Sequence, residues 1–315
     1  MGKLDRMQLK MRQGMLLDDK IRFTEKRIQE WVSSFGEEGV YVSFSGGKDS
    51  AVLLDICRRL YPNIKAMFVD TGLEYPEIKQ FVKSFKNVDI IRPKKMFNKV
   101  IEEYGFPVIS KEVAEAVYNA RKHVQDPTKY QAHYDKLMGE KKDKDGKPSS
   151  YNCSRWKFLL NAPFKISHKC CWVMKKDPAH KYHKETKRNP IIGTMACESR
   201  LRTQQYLKSG CNGFNNKIPT STPIAFWTEQ DILRYIYKYN IPYAKVYGSL
   251  IEEGGKLKFT GCQRTGCMFC GFGCHIEPEP NRFQKLKETH PRQYKYIIEE
   301  LKMGEILDFL NVPYK

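Results

Sequence analysis

No run of apolar residues in this 315-residue chain approaches the ~20 needed to cross a bilayer. The opening MGKLDRMQLKMRQG also lacks the apolar core that a secretory signal requires. These absences predict a cytoplasmic protein with no membrane partner. Acidic residues are scarce relative to basic ones: 36 Asp and Glu stand against 55 Lys and Arg, a formal charge of +19. The imbalance is steep between Lys111 and Arg188, where 19 basic residues face 9 acidic ones, a net of +10. The natural partner of such a region is a polyanion, a nucleic acid or something like one, although lysines that merely solvate a surface are the plainer explanation. Two common phosphate loops are missing as well. Gly47-Lys48 is followed by Asp49 and no glycine stands five positions before Gly47, which excludes Walker A; Gly-x-Gly-x-x-Gly is absent too.

What is present belongs to a folded globule, with 41% hydrophobic and 12% aromatic residues, not to a disordered chain. The run Val40-Tyr41-Val42-Ser43-Phe44 is short, β-branched and aromatic, as a buried parallel strand should be. Helical spacing takes over in Ala51-Val52-Leu53-Leu54-Asp55-Ile56-Cys57-Arg58-Arg59-Leu60. Between them, Gly46 and Gly47 permit a tight turn with positive φ, and Ser45, Lys48 and Ser50 add hydroxyl and ammonium donors: a phosphate cradle. Further strands are predicted at residues 64–70 and 88–91, with helices from Pro76 to about Phe85, from Phe97 to Tyr104 and from Lys111 to Val124. Strands alternating with helices of this length mean an α/β fold, a parallel twisted sheet flanked by helices, with ligands at the carboxyl ends of the strands, where Asp70 falls. Residues 1–35 are predicted helical, with an apolar stripe of Ile21, Phe23, Ile28, Trp31 and Val32 that packs on the sheet. The polar stretch Glu140 to Pro148 is predicted to be a mobile surface loop, and residues beyond Asn281 to be helical.

The stretch Ser45-Gly46-Gly47-Lys48-Asp49-Ser50 resembles the PP-loop of the ATP pyrophosphatase and adenine nucleotide α-hydrolase superfamily. The resemblance implies a nucleotide site at Ser43, Ser45, Gly46, Gly47, Lys48, Asp49 and Ser50 that holds ATP with Mg²⁺. Lys48 and Asp49 would be its catalytic residues, and pyrophosphate would leave as an adenylated intermediate forms. Phe68-Val69-Asp70-Thr71-Gly72-Leu73-Glu74-Tyr75-Pro76-Glu77 is similar to a segment of the phosphoadenosine phosphosulfate (PAPS) reductase branch, which adds Asp70, Thr71 and Gly72 to the nucleotide site. Three parts are expected: an N-terminal helical segment 1–36; a PP-loop domain 37–245 with a basic insertion near 111–188; and a Cys-rich, mainly helical region 246–315.

Ten cysteines in a cytoplasmic chain read as metal ligands better than as disulfides. Cys262, Cys267, Cys270 and Cys274 could close a local zinc or iron site. Against this, Cys170-Cys171-Trp172-Val173-Met174-Lys175-Lys176 resembles the adjacent-cysteine element of adenylyl-sulfate reductases. That resemblance implies a [4Fe–4S] cluster on Cys170, Cys171, Cys267 and Cys270, with Lys175 and Lys176 facing the anionic substrate. Arg200 and Arg202 are two further candidates for that anion. Sulfonucleotide reductases also carry a catalytic cysteine near the C-terminus, whereas no cysteine here follows Cys274, and the Lys48-Asp49-Ser50 ending is that of ATP users. The expected function is therefore ATP-dependent adenylyl transfer coupled to iron–sulfur-dependent sulfur insertion into a nucleic acid, served by a sulfur donor protein such as a cysteine desulfurase. Sulfonucleotide reduction and a nucleotide-regulated nucleic-acid-binding protein are the alternatives.

Overall fold

The computed structural model describes residues 4–315. The chain divides into two compact units. The first holds the chain up to Asp70, Glu74–Arg92 and Pro178–Thr265; the second holds Thr71–Leu73, Pro93–Asp177 and Gly266–Lys315. In chain order the strands are β1 (Val40–Ser43), β2 (Ala66–Val69), β3 (Val88–Ile91), β4 (Val108–Ile109), β5 (Asn189–Ile192), β6 (Asn212–Gly213), β7 (Thr220–Ser221), β8 (Leu250–Glu253), β9 (Lys256–Phe259) and β10 (Gly271–Phe272).

The first unit is built on a six-stranded sheet in the order β3-β2-β1-β5-β7-β6. Its pairs are parallel except β6 with β7, and helices flank it, which meets the α/β expectation. Val40, Tyr41 and Val42 are all buried, as are Ala66, Met67 and Phe68, because helices on both faces leave a central parallel strand no polar side. The helix Lys48–Leu60 leads from β1 to β2 and Pro76–Lys83 from β2 to β3. The chain then leaves for the second unit and returns to place β5 on the other side of β1. Strand order thus reverses at β1, and in open α/β sheets ligands bind outside the carboxyl ends of strands at such a point.

The N-terminal stripe folds as expected, with Ile21, Ile28, Trp31 and Val32 of the helix Leu17–Phe35 buried. That helix packs on Lys48–Leu60 and on Glu229–Tyr239. It also buries a charge the apolar pattern does not announce: Lys20 Nζ lies 2.6 Å from Asp231 Oδ2, both side chains almost fully enclosed. Asp231 in turn accepts from the Thr228 amide at 2.7 Å, closing the capping box of its helix.

In the second unit, the helices Phe97–Tyr104, Lys111–Gln125 and Gln131–Met138 and the 3₁₀ turn Ser154–Asn161 come first, and Arg282–Thr289, Pro291–Lys295 and Met303–Phe309 end the chain. The guanidinium of Arg121 binds the carbonyls of Leu159, Leu160, Ala162 and Phe164 at 2.7–3.0 Å, fixing the 3₁₀ turn to its helix. The helix Gln131–Met138 occupies sequence that polarity alone marks as irregular. Within 140–148, Lys142 and Pro148 form an antiparallel bridge, and Asp143 Oδ1 accepts the amides of Asp145 and Lys147. An aspartate that closes its own turn is why this charged stretch has a defined conformation.

Removing one partner of a buried ion pair leaves an uncompensated charge. Lys20→Met should therefore lower the unfolding free energy in a urea titration by about 3 kcal/mol. A loss below about 1 kcal/mol, the range of exposed pairs, would mean that Asp231 is hydrated.

Candidate functional site

The PP-loop leaves β1 and turns through Gly46, at φ +73°. A Cβ there would stand 2.8 Å from the methyls of Ile78 and Val82, so both conformation and space require glycine. Ser45 and Ser50 brace the turn: the Ser45 amide donates to Ser50 Oγ at 3.1 Å, the hydroxyls are 3.0 Å apart, and Ser50 Oγ donates to the Gly47 carbonyl at 2.9 Å. Gly47 precedes the helix Lys48–Leu60, and no side chain caps it. The start of the helix presents the positive end of its dipole, a ready-made seat for a phosphate.

Lys48 is buried, with its ammonium 3.3 Å from Glu229 Oε1, 3.7 Å from Asp49 Oδ1 and 3.4 Å from the Gln263 carbonyl. Burial works against its charge, but Asp49, Tyr247 and Glu229 outweigh burial and raise its pKa, so the group stays an ammonium. Its amide donates to the Tyr247 hydroxyl at 2.9 Å, which lies 2.8 Å from Thr265 Oγ1. The Asp49 carboxyl is shifted up by burial, and its Oδ1 is buried with no hydrogen-bond partner. That oxygen, with only the Lys48 ammonium 3.7 Å away beside it, is the kind of group a divalent cation satisfies. Glu229, Tyr247, Gln263 and Thr265 were not foreseen. The Thr228-x-x-Asp231 capping pattern marks a helix start, but no local signal says that its first residue meets Lys48.

Ser43 ends β1, between Met67 and Ile192 of the neighbouring strands. Asp70 follows β2, and its carboxylate pairs with Lys79 at 2.7 Å and Arg92 at 3.4 Å. Thr71 and Gly72 fall in the second unit, Gly72 with φ +80°. Arg202 pairs with Glu198 and is close enough to Asp49 and Arg264 for each to shift its titration. Arg200 begins the same helix and is exposed.

The second centre lies within the second unit. Cys170 and Cys171 open the helical turn that runs into a π-helix, Trp172–Lys176, which carries Lys175 and Lys176. Cys267 and Cys270 sit on the turn before β10, whose Gly271 backs onto β4: a Cβ there would be 2.7 Å from the Pro107 carbonyl oxygen. Burial first, then the thiols of Cys171, Cys267 and Cys270, push the Cys170 thiol up, while Lys175 pulls it down. Cys270 is pushed up to about 11 by burial and Cys267, with the Phe272 amide and Arg282 opposing. The four thiols therefore share one neighbourhood, although among the described residues no three His, Cys, Asp or Glu side chains converge to metal-holding distance. Cys262 belongs to the first unit, and the buried Cys274 donates to the Gly271 carbonyl at 3.0 Å.

The family model for the phosphoadenosine phosphosulfate reductase domain matches residues 39–141 and 96–272. An uncharacterized protein of Methanocaldococcus jannaschii is 24% identical over 295 residues, 90% of this chain, and the chain spans 54% of that relative's length. The adenosine 5′-phosphosulfate reductase of Staphylococcus haemolyticus is 26% identical over 222 residues, 69% of this chain and 68% of its own. Among solved structures, the phosphoadenylyl-sulfate reductase of Candida auris, in a phosphate complex, aligns over 81% of this chain and 98% of its own at 16% identity, with a TM-score of 0.40.

A thiol reacts as its thiolate, and a raised pKa keeps it protonated until alkaline pH. In folded, metal-free protein the iodoacetamide alkylation rate of Cys270, pushed up to about 11, should climb about tenfold per pH unit up to about pH 10. An ordinary thiol levels off above about 8.5. A plateau near that value, read by peptide mass spectrometry, would contradict the burial assigned to this centre.

Proposed function

This chain belongs to the phosphoadenosine phosphosulfate reductase domain family, a branch of the adenine nucleotide α-hydrolase superfamily, and on that footing we propose that it is an ATP-dependent adenylyl transferase that prepares an acceptor for sulfur insertion. The observation that carries the reading is the Lys48 ammonium, buried and kept charged at an uncapped helix start where strand order reverses. The acceptor proposed is a nucleic acid, in keeping with the net charge of +10 between Lys111 and Arg188. The sulfur would come from a donor protein such as a cysteine desulfurase.

In this reading the acceptor oxygen attacks the α-phosphorus of ATP, the bond to the bridging oxygen breaks, and pyrophosphate leaves. Ser45, Gly46, Gly47 and Ser50 would hold the β- and γ-phosphates, with Ser43 supporting the loop at the end of β1. Lys48 meets the negative charge that grows on the leaving group, the differential interaction that accelerates phosphoryl chemistry. Asp49, with a buried oxygen that accepts no hydrogen bond, fits a Mg²⁺ that accompanies the nucleotide. Asp70 would edge the nucleoside, and Arg202 and Arg200 would meet the second anion. Cys170, Cys171, Cys267 and Cys270 are the thiols that would hold a [4Fe–4S] cluster, since neighbouring thiol sulfurs suit iron–sulfur ligation. When bound, such a cluster supplies redox capacity and iron with an affinity for sulfur.

The identity with an adenosine 5′-phosphosulfate reductase favours a second reading, sulfonucleotide reduction. That reaction needs a nucleophilic thiol. Cys274 is a poor one, because burial pushes its pKa up to about 11, which leaves Cys262 or a thiol of another protein.

Lys48→Ala should cut ATP–pyrophosphate exchange by about 100-fold or more, the scale of losing one preorganised charge-stabilising donor. Exchange at the wild-type rate would remove the loop from the chemistry. Thiol-dependent sulfite release from adenylyl sulfate, with no pyrophosphate exchange, would replace this reading by the second.

A further inference from the structure

Between Tyr151 and Lys176 the sequence carries Arg155, Lys157, Lys165, Lys169, Lys175 and Lys176 and no acidic residue at all. The same stretch holds Tyr151, Trp156, Phe158, Phe164 and Trp172. Aromatic side chains of this size normally face inward, yet Phe158 is 44% exposed, Trp172 46% and Tyr151 42%. The 3₁₀ turn Ser154–Asn161 carries the exposed Phe158 beside the half-buried Trp156, ring centroids 6.0 Å apart, and Trp156 meets the His275 ring edge-on at 5.0 Å. The Arg155 guanidinium lies over the Trp156 ring at 5.0 Å, and Phe158 is backed by Phe309 at 6.0 Å. Behind the turn, the four carbonyl bonds of Arg121 keep it rigid.

An exposed hydrophobic surface on its own names no partner, but on this turn Arg155 and Lys157 stand beside the rings and the stretch itself supplies no acidic residue. A protein surface of ordinary composition or an acyl chain would meet the rings and gain little from these cations. A strand of unpaired nucleotides uses both features: its bases stack on aromatic faces while its phosphates lie against lysine and arginine. A duplex uses only the second, because its bases are already stacked on each other. We propose that the turn carrying Trp156 and Phe158, with Arg155 and Lys157, is a docking platform for an unpaired segment of nucleic acid. This rests on the nucleic-acid acceptor proposed above and makes it more specific: the acceptor presents single-stranded nucleotides at a stretch that leads, twelve residues after Phe158, into Cys170 and Cys171.

The test is fluorescence anisotropy of the whole, anaerobically prepared chain with a labelled 20-nucleotide single-stranded RNA and with the matching duplex. Wild-type protein should prefer the single strand. Trp156→Ala and Phe158→Ala should each weaken single-strand binding by about fivefold or more, the lower end of what one stacked base contributes, with the salt slope and duplex binding unchanged. Trp156→Phe should restore most of the loss, which separates stacking from folding damage. Lys157→Gln should weaken single strand and duplex alike and reduce the salt slope by about one unit. Wild-type binding that survives both alanine substitutions, or that favours the duplex, overturns the platform and leaves the nucleic-acid acceptor standing. No binding of either RNA at low salt overturns both, while ATP–pyrophosphate exchange reports separately on the PP-loop.

Discussion

The reversal of strand order at β1 is the constraint on which the proposed nucleotide site depends. Because β2 lies on one side of β1 and β5 on the other, the carboxyl ends of β1 and β5 open together, and the loop after β1 has somewhere to go. The close approach is strict. At Gly193, just past β5, a Cβ would stand 3.3 Å from the Asp49 carbonyl oxygen and from the Ser50 Cα. Gly46 faces the methyls of Ile78 and Val82 on the next helix. The PP-loop is therefore set by three elements: the strand it leaves, the strand that returns beside it, and the helix after β2. The glycines are demanded by that packing as much as by the turn.

Legibility followed the range of the interactions. β1, β2, β3 and the helices between them were readable because an apolar run and a 3.6-residue period are local signals, and the observed elements begin and end within a few residues of those expected. β6 and β7, two residues each, have no pattern long enough to read; they exist because β7 can pair with the edge of β5 and β6 with β7. Lys20 looked like any helix-surface lysine, and its burial follows from Asp231, 211 positions away. The same holds at the site. Lys48 and Asp49 are plain in the loop sequence, but their partners Glu229, Tyr247 and Gln263 come from distant segments that meet only when the first unit has folded.

The cysteines illustrate the limit from the other side. Spacing alone offered a self-sufficient set from Cys262 to Cys274, and only a family resemblance paired Cys267 and Cys270 with Cys170 and Cys171. In the structure Cys274 spends its thiol on a backbone carbonyl. Cys170, with its pKa raised by burial and then by three neighbouring thiols, shares the second unit with Cys267 and Cys270, whose turn is anchored there by the pairing of β10 with β4. A two-residue strand with a glycine at the contact is too small to read from sequence, yet it brings the turn of Cys267 and Cys270 into the unit that contains Cys170.

Charge distribution sharpens the chemistry expected of each centre. The chain as a whole is strongly basic, yet Lys48 is matched by two carboxylates, Asp49 and Glu229, within 4 Å. An ammonium so compensated does not attract a polyphosphate by net charge; it serves as a placed donor whose position is fixed. In the proposed function a triphosphate would meet two carboxylates there, one of them with an oxygen that accepts no hydrogen bond. It would gain most if it came with its own cation, which would convert both from repelling groups into ligands or neighbours of the metal. The proposed nucleotide centre would then work by geometry, and long-range attraction would fall to the chain's exposed basic residues. That division follows from electrostatics: a field that steers a polyanion works through exposed, uncompensated charge, whereas a catalytic ammonium must be desolvated and held, and one surface cannot do both.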